Sequence, residues 1–575
     1  MAKNKHEKYT LEQLRHSAAH LAAQAILELY PNTNLTLGPA TANGFFYDFQ
    51  PTENLKEEDI EKITEKMHEI VARDIPIIQK EISKDEAIKL YKNNPFKLEL
   101  IAGIPEDTVG LACQGDFYDL CKGGHVESTK ALKHFKLTGL SGSYWRADKK
   151  NQQLQRISGI VFASQQDLEK YEKLLEEAKL YDHRKLGKEL DLFSFHEEGV
   201  GFPFFHPRGK KIINILTNFL RKRLEAENYQ EISTPIILSE ELWKQSGHYA
   251  HYKDNMYYCK IDDKENAVKP MNCPGAILVY KSKPHSFRDL PLRMSEFGLV
   301  HRHELSGVLH GLMRVRAFTQ DDAHIFCTPE QMEHEIVELI KLIFSTLSKF
   351  GFAKIKIYLS TRPKNSIGSD ELWERATNAL KLALEKQGLE YEINEGDGAF
   401  YGPKIDFIIQ DSMEREWQCS TIQADFFLPE NFDLTYIASG GEKKRPVMLH
   451  RVIYGSFERF FAILIEHYKG KFPFWLAPVQ ARILTITDDQ KCYACDLAQK
   501  LKDHGIRVEV DQSGDQINSQ IKAAQLDKIP WMLVVGKKEV ENNTITLRYL
   551  NGKQEFGLTL DNLLEKANKE LEVIN

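Results

Sequence analysis

The chain has 575 residues, 42 % of them hydrophobic and 28 % charged, with 76 Lys and Arg against 83 Asp and Glu for a net charge of −7. That length is beyond one hydrophobic core and implies about three or four domains. No apolar run is long enough for a membrane span or a secretory signal, so a cytoplasmic enzyme is expected, and the mild negative charge does not exclude a basic face for nucleic acid. Eight cysteines over this length do not make a disulfide framework.

In chain order, Leu11, Leu14, Ala18, Leu21, Ala25 and Leu29 keep near-helical spacing ahead of Pro31, predicting a helix near 10–30. His16 and His20 share one face of it, and Cys121 and His125 in CKGGH repeat the spacing. GFFYDF and FKLELI read as strands. Residues 165–190 are dense in charge with Leu at helical spacing, which predicts an exposed connecting helix and a domain boundary. The middle of the chain alternates strands and helices, and PFWLAPVQ reads as a linker. ARILTIT, IRVEVD, WMLVVG and NTITLRYL then alternate with helical stretches, an α/β pattern. The expected divisions are 1–164, 165–194, 195–472 and 473–575.

Three pieces carry nucleotide-type chemistry. In FGLVHRHELSGVLHGLMRVRAF, Arg302 and Glu304 alternate on a strand-like stretch, and Arg314 and Arg316 follow on a returning strand. Such a hairpin can hold an α-phosphate by Arg302 and adenine by Glu304. GSFERFF sets Arg459 early in a helix, and YQEISTP ends on Pro235. Singly, these are a surface ion pair and a solvated arginine. In this order they resemble the three signature motifs of class II aminoacyl-tRNA synthetases. The resemblance implies an antiparallel sheet with flanking helices, and hence a multidomain α+β and α/β protein. No GxGxxG or P-loop pattern competes in the middle domain.

KPMNCPGA, DDAHIF and VMLHRVIYGS look like the threonyl branch of that class. The resemblance implies Cys273, His324 and His450 as ligands of one Zn²⁺ per subunit, with a coordination position left open. The chemistry has a purpose. Threonine and valine are near-isosteric and a hydrophobic pocket separates them poorly, whereas a metal with open coordination binds the amine and β-hydroxyl together. The same resemblance places Asp322 on the substrate hydroxyl, Tyr401, Lys404 and Gln423 around threonine, and Met271 and Gln418 beside the ATP. Arg302, Arg314 and Arg459, with Mg²⁺, neutralise charge on the phosphates. His248 is the candidate base for transfer to tRNA(Thr), with His251 and His310 as alternatives, and the segment near Pro235 implies a homodimer.

Serine keeps the hydroxyl and lacks one methyl, worth only about 1–3 kcal/mol, so a separate hydrolytic site is expected. HxxxH with CxxxH reads naively as a metal site, but the Glu of a zincin is absent. The set resembles the editing domain shared by threonyl and alanyl synthetases. That implies His16, His20, Cys121 and His125 working without metal, supported by Lys97, Tyr47 and Asp119. Ala18 stands where many members have Cys, and Gly124 and Glu127 where Pro is common. The small domain that usually precedes the editing domain is expected to be missing. The last section resembles an anticodon-binding domain, with Glu539 and Arg548 contacting bases. Cys492 and Cys495 are expected as a partly buried helical pair with no redox role.

Overall fold

The computed structural model describes residues 8–572 except 42, 149 and 353, and the side chains of 147 and 251 also lie outside it, so His251 is not placed. The chain divides into two compact units, Met1–Glu176 and Glu177–Asn575. Among the described residues no helix is long and apolar enough to cross a membrane.

In the first unit, helix Leu11–Leu29 starts at a capping box, in which the Thr10 hydroxyl accepts from the Gln13 N–H and the Gln13 side chain accepts from the Thr10 N–H. Its buried Ala18, Ala19, Ala22, Ala23 and Ala25 let it lie close against strand Gly44–Gln50 and helix Asp59–Ala72. Gly44–Gln50 belongs to an antiparallel sheet with Asn34–Leu35, Gln153–Phe162 and His134–Tyr144. A second antiparallel sheet joins Ile77–Ser83, Thr108–Gln114 and Phe117–Leu120.

FKLELI is not a strand. It lies in helix Pro95–Ala102, where the Asn94 side chain caps Phe96 and Lys97 N–H and Pro95 takes the first position. The alternation of Phe96, Leu98 and Leu100 imitated a strand period, and the cap overrode it. The charged stretch after 164 forms two helices, Gln165–Leu180 and His183–Glu189, and the first buries only Leu168.

The second unit is built on an eight-stranded sheet. Its order is Gln230–Glu231, Leu292–His301, Ala317–Cys327, Val447–Val452, Glu416–Asp425, Lys404–Gln410, Ile355–Ser360 and Glu392–Asn394. Every pairing is antiparallel except the two outermost, which are parallel. Helices Pro207–Ala226, Met332–Leu347, Asp370–Lys386 and Phe457–His467 bury their apolar faces in the same core as this sheet. Toward the C-terminus, strand Ala481–Thr485 pairs in parallel with Val508–Val510 and Trp531–Val535, and Ile545–Tyr549 and Gln554–Leu558 complete the sheet antiparallel. Cys492 and Cys495 lie on helix Lys491–Asp503 and are exposed, not partly buried, because the helix turns Ala494, Leu497, Ala498 and Leu501 inward on the opposite face.

Candidate functional site

Register brings the first cluster together. Strands Ala317–Cys327 and Val447–Val452 pair with His324 opposite His450, and helix Cys273–Lys281 begins at Cys273. One ligand-type atom of each of these three buried residues lies within 4.8 Å of the others. His450 Nε2 is 2.9 Å from Asp425 Oδ2, while His324 Nε2 is buried without a hydrogen-bond partner. Burial holds the His324 imidazole well below its ordinary pKa, helped by His450, so it stays neutral. Burial likewise pushes the Cys273 thiol far up, with Asp322 and Asp425 adding to it. Asp322, which receives 3.1 Å from Asn272 Nδ2, stands beside the three.

A cavity of about 470 Å³ opens from this cluster, and Met271, Asp322, Tyr401, Lys404, Gln418 and Gln423 line it, as do Arg302 and Arg459. Arg302 follows the end of strand Leu292–His301 instead of lying on it, and its N–H closes the hairpin onto Arg316 O at 2.9 Å. Its guanidinium stands 5.2 Å from the Phe318 ring, with Nε 3.2 Å from Pro270 O. Arg314 and Arg316 precede the returning strand, again outside it. Arg459 sits in the first turn of Phe457–His467, capped by Ser456, with Nε 3.2 Å from Met313 O. The turn before this helix is held by Asp321, whose carboxylate accepts from Ile453, Tyr454 and Gly455 N–H at 2.7, 3.0 and 2.9 Å. Gly455 has φ of 81°, and a Cβ there would meet Cys419 O at 2.7 Å.

Three expected residues stand apart from the cavity wall. Glu304 and Arg314 pair with each other at 2.9 Å on the hairpin. His248 is buried behind the cluster, its Nε2 3.8 Å from Cys273 Sγ and its Nδ1 2.8 Å from Ser246 Oγ. The alternative His310 packs on His183, ring centroids 5.7 Å apart. Sequence reasoning missed Thr421, Gln320 and Arg451, which line the cavity, and Asp406 beneath it. Strand alternation from Gln423 and Asp322 would have pointed to Thr421 and Gln320. Arg451 pairs with Asp321 and no local pattern marks it.

The second cluster lies in the first unit. His16 and His20, one turn apart, hold their Nε2 atoms 3.3 Å from each other. Cys121 and His125 are not on a helix. They sit on a loop after Phe117–Leu120, and Gly123 and Gly124, with φ of 105° and 89°, turn it back so that Cys121 Sγ lies 3.0 Å from His125 Nε2 and 3.4 Å from His16 Nε2. Beneath them Asp119, buried, takes Lys97 Nζ and, at 2.5 Å, Tyr47 OH, and lies 3.4 Å from His20 Nδ1. Burial resists ionisation of Asp119, but Lys97 and His20 hold its carboxyl below the ordinary range. Burial brings His20 down to about 3 and His125 to about 4, and raises the Cys121 thiol. Both imidazoles are therefore neutral acceptors near pH 7.

In the C-terminal sheet the Glu539 carboxylate already accepts from Gly536 N–H at 3.0 Å and Thr546 Oγ1 at 2.9 Å, and Arg548 Nε is buried without a partner.

Comparison with known proteins agrees with this layout. Residues 257–468 match the tRNA synthetase class II core domain (G, H, P, S and T), 480–570 the anticodon binding domain, and 109–158 the threonyl and alanyl tRNA synthetase second additional domain. The sheet, its arginines and these matches define a class II aminoacyl-tRNA synthetase. The threonine–tRNA ligase of Carboxydothermus hydrogenoformans is 55 % identical over 563 residues, 97 % of this chain and 89 % of that one. That of Acetivibrio thermocellus is 57 % identical over 537 residues, 93 % and 84 % of the two chains. A solved structure, the RNA binding domain of threonyl-tRNA synthetase from Cryptosporidium parvum Iowa II, is 44 % identical with a TM-score of 0.66, over 68 % of this chain and 98 % of that one. The chain belongs to the threonine–tRNA ligase family.

Proposed function

We propose that this protein activates L-threonine with ATP, transfers it to tRNA(Thr), and clears mischarged seryl-tRNA(Thr) in residues 1–164. The carrying observation is the Cys273–His324–His450 cluster opening onto a cavity with Arg302 and Arg459 on its wall. The partition that goes with this reading is a connecting segment at 165–194, the synthetic domain at 195–472 and anticodon recognition by 473–575 through Glu539 and Arg548. The protein acts in the cytoplasm as a homodimer; Ile236 and Ile237, exposed beside Pro235, offer apolar surface for pairing.

The cluster fits a zinc ion: one thiol and two imidazoles form an N₂S set, and the buried, unpartnered His324 Nε2 is a ligand atom lacking a partner. Bound there, zinc supplies Lewis-acid coordination to an amine and a β-hydroxyl. Asp322 accepts from the substrate hydroxyl, and Tyr401, tied by its OH to Gln423 Oε1 at 2.6 Å, turns its oxygen lone pairs to the amino group. Arg302 and Arg459 neutralise charge growing on the α-phosphate as the threonine carboxylate attacks, with Mg²⁺ accompanying the ATP. Met271 and Gln418 position the nucleotide, Glu304 the adenine and Lys404 the threonine side, and Arg314, held by Glu304 at 2.9 Å, is the third arginine for the phosphates. His248 is the candidate base for the ribose hydroxyl of tRNA, and because it is buried against Cys273 and Ser246 it has to be uncovered when tRNA binds.

In the N-terminal site the raised thiol of Cys121 makes it a poor thiolate nucleophile, so water is the attacking group, accepted by neutral His16, His20 and His125. Lys97, Tyr47 and Asp119 fix the polarity behind them, and no metal takes part. ATP–pyrophosphate exchange with each of the twenty amino acids tests the function. Threonine is expected to support exchange, serine weakly, valine not at all, and exchange with a different amino acid alone overturns the reading.

A further inference from the structure

One buried histidine outside the assigned set ties the connecting segment to the arginine hairpin. His183 opens helix His183–Glu189 and is fully buried. Its backbone N–H and its Nδ1 both donate to Glu466 Oε1, at 2.9 and 2.7 Å. Glu466 lies on helix Phe457–His467, seven residues and so about two turns after Arg459, and Arg415 pairs with its other oxygen. Burial resists ionisation of Glu466, but His183 and Arg415 hold its carboxyl below the ordinary range. It is therefore a carboxylate that only accepts.

On the far side of the ring, His183 Nε2 lies 3.1 Å from the Leu312 nitrogen. A backbone N–H only donates, so Nε2 is bare and the proton sits on Nδ1. The neutral ring is a bridge of fixed direction, from Leu312 through His183 to Glu466.

The next peptide is held from the same helix, because Met313 O accepts from Arg459 Nε at 3.2 Å. His310 and Arg314 exchange backbone hydrogen bonds at 3.2 and 3.3 Å, which closes the segment into a tight turn. Fixing Leu312 and Met313 therefore fixes where Arg314 emerges. Gly311 crosses the ring edge at φ of 48°, and a Cβ there would meet His183 Nε2 at 2.2 Å. The outer hairpin has no such hold, with Leu305 69 % and Val308 40 % exposed.

We propose that His183 is a positioning residue for the nucleotide: held by Glu466, it fixes the Gly311–Arg314 turn so that Arg314 and Arg459 address the phosphates together. This rests on the threonine-activating reading, which gives both arginines to ATP. His183 itself does not line the cavity, and none of its hydrogen bonds reaches Cys273, His324 or His450. Its loss should therefore be felt by ATP and not by threonine or zinc.

The test is threonine-dependent ATP–pyrophosphate exchange in the parent, His183→Phe and His183→Gln, with KM for ATP and for threonine measured separately and zinc content alongside. Phe keeps a ring and removes the acceptor, which leaves the Leu312 N–H buried and unpaired. KM for ATP is expected to rise about tenfold or more, with threonine KM and zinc as in the parent. Gln offers a carbonyl oxygen to Leu312 and an NH₂ to Glu466, and should restore most of the loss. An unchanged ATP KM in His183→Phe, an equal rise for threonine, or a Gln variant as impaired as Phe overturns the proposal. If His183→Phe does not fold, Gly311→Ala, which leaves the ring in place and pushes the turn off it, must show the same split or the proposal fails. A parent without threonine-dependent exchange removes the functional reading itself, a result distinct from exchange that persists with an unchanged ATP KM.

Discussion

The two histidine–cysteine clusters use the same residue types and differ in the charge that faces them. In the first unit the Cys121 thiol and the Nε2 atoms of His16, His20 and His125 contact one another at 3.0 to 3.4 Å, while His20 Nδ1, buried without a hydrogen-bond partner, lies 3.4 Å from Asp119 Oδ2. Behind them stands a buried ion pair, Lys97 with Asp119, so little net charge faces the cluster. In the second unit His324 Nε2 likewise has no hydrogen-bond partner and lies 3.7 Å from Asp322 Oδ1, and the Asp322 and Asp425 carboxylates both act on the Cys273 thiol. A donor set faced by two carboxylates calls for a cation, while one whose carboxylate is already paired with a lysine suits a water between neutral acceptors. Residue identity alone does not separate a metal centre from a hydrolytic one; the surrounding charge does.

Cys273→Ala is the strongest way to break this comparison. Metal analysis should fall from about one zinc per chain to none, and threonine activation should drop by ~10³-fold or more. A variant that still holds one zinc would transfer the metal to the His16 cluster and reverse the assignment. Next in size, Arg302→Ala and Arg459→Ala should each slow adenylate formation by ~10²–10³-fold with zinc retained, since donors aimed at growing charge act most in the transition state. Near-parental exchange in either would move the phosphates elsewhere in the cavity.

How much of this was legible varied with the kind of pattern. Helix Leu11–Leu29 shows in the spacing of its apolar residues, because that signal is local. FKLELI misled because three alternating apolar residues look the same in a short strand and in a capped helix. His324 opposite His450 is a register fact between strands far apart in sequence, so only the resemblance of whole motifs pointed to it. Gln418 reaches the cavity through a bulge, and Cys121 meets His125 through two positive-φ glycines; neither has a periodic signature. Asp406 was missed because the groups it holds, on Ser360, Lys404, Gln418 and Thr421, come from three strands and leave no local pattern.

A smaller effect sharpens the contrast from the other side. His16→Ala with His20→Ala should slow deacylation of pre-formed seryl-tRNA by ~10²-fold and leave threonine activation close to parental, since loss of positioned proton acceptors is worth about that much. Seryl-tRNA should then accumulate, and valyl-tRNA should not. Clearance at the parental rate in this variant would return both histidines to a packing role.

The smallest effect is on stability, and it concerns His20. Burial, with His125, His16 and Lys97 nearby, outweighs Asp119 and brings its pKa from 6.5 to about 3. The unfolded chain takes up a proton near pH 6.5 that the folded helix refuses until about pH 3. Stability tied to this residue is therefore complete above about 6.5 and is lost as pH falls through the window below it. At pH 5 the loss is about 2 kcal/mol, from 1.4 kcal/mol per pH unit. Acid also strips ligands from the zinc cluster, so a global melting temperature mixes the two units. Hydrogen exchange on the intact protein separates them. In the parent, amide protection across Leu11–Leu29 should weaken from pH 7 to pH 5 beyond the intrinsic rate change, and in His20→Gln that extra weakening should shrink. It should not vanish, because His125, at about 4, titrates in the same sense. The readout is the slope with pH, so a uniform loss of stability in the variant does not imitate it. An unchanged slope would mean that His20 accepts a proton in the folded state, and with it a charged hydrolytic cluster in place of the neutral one on which the comparison stands.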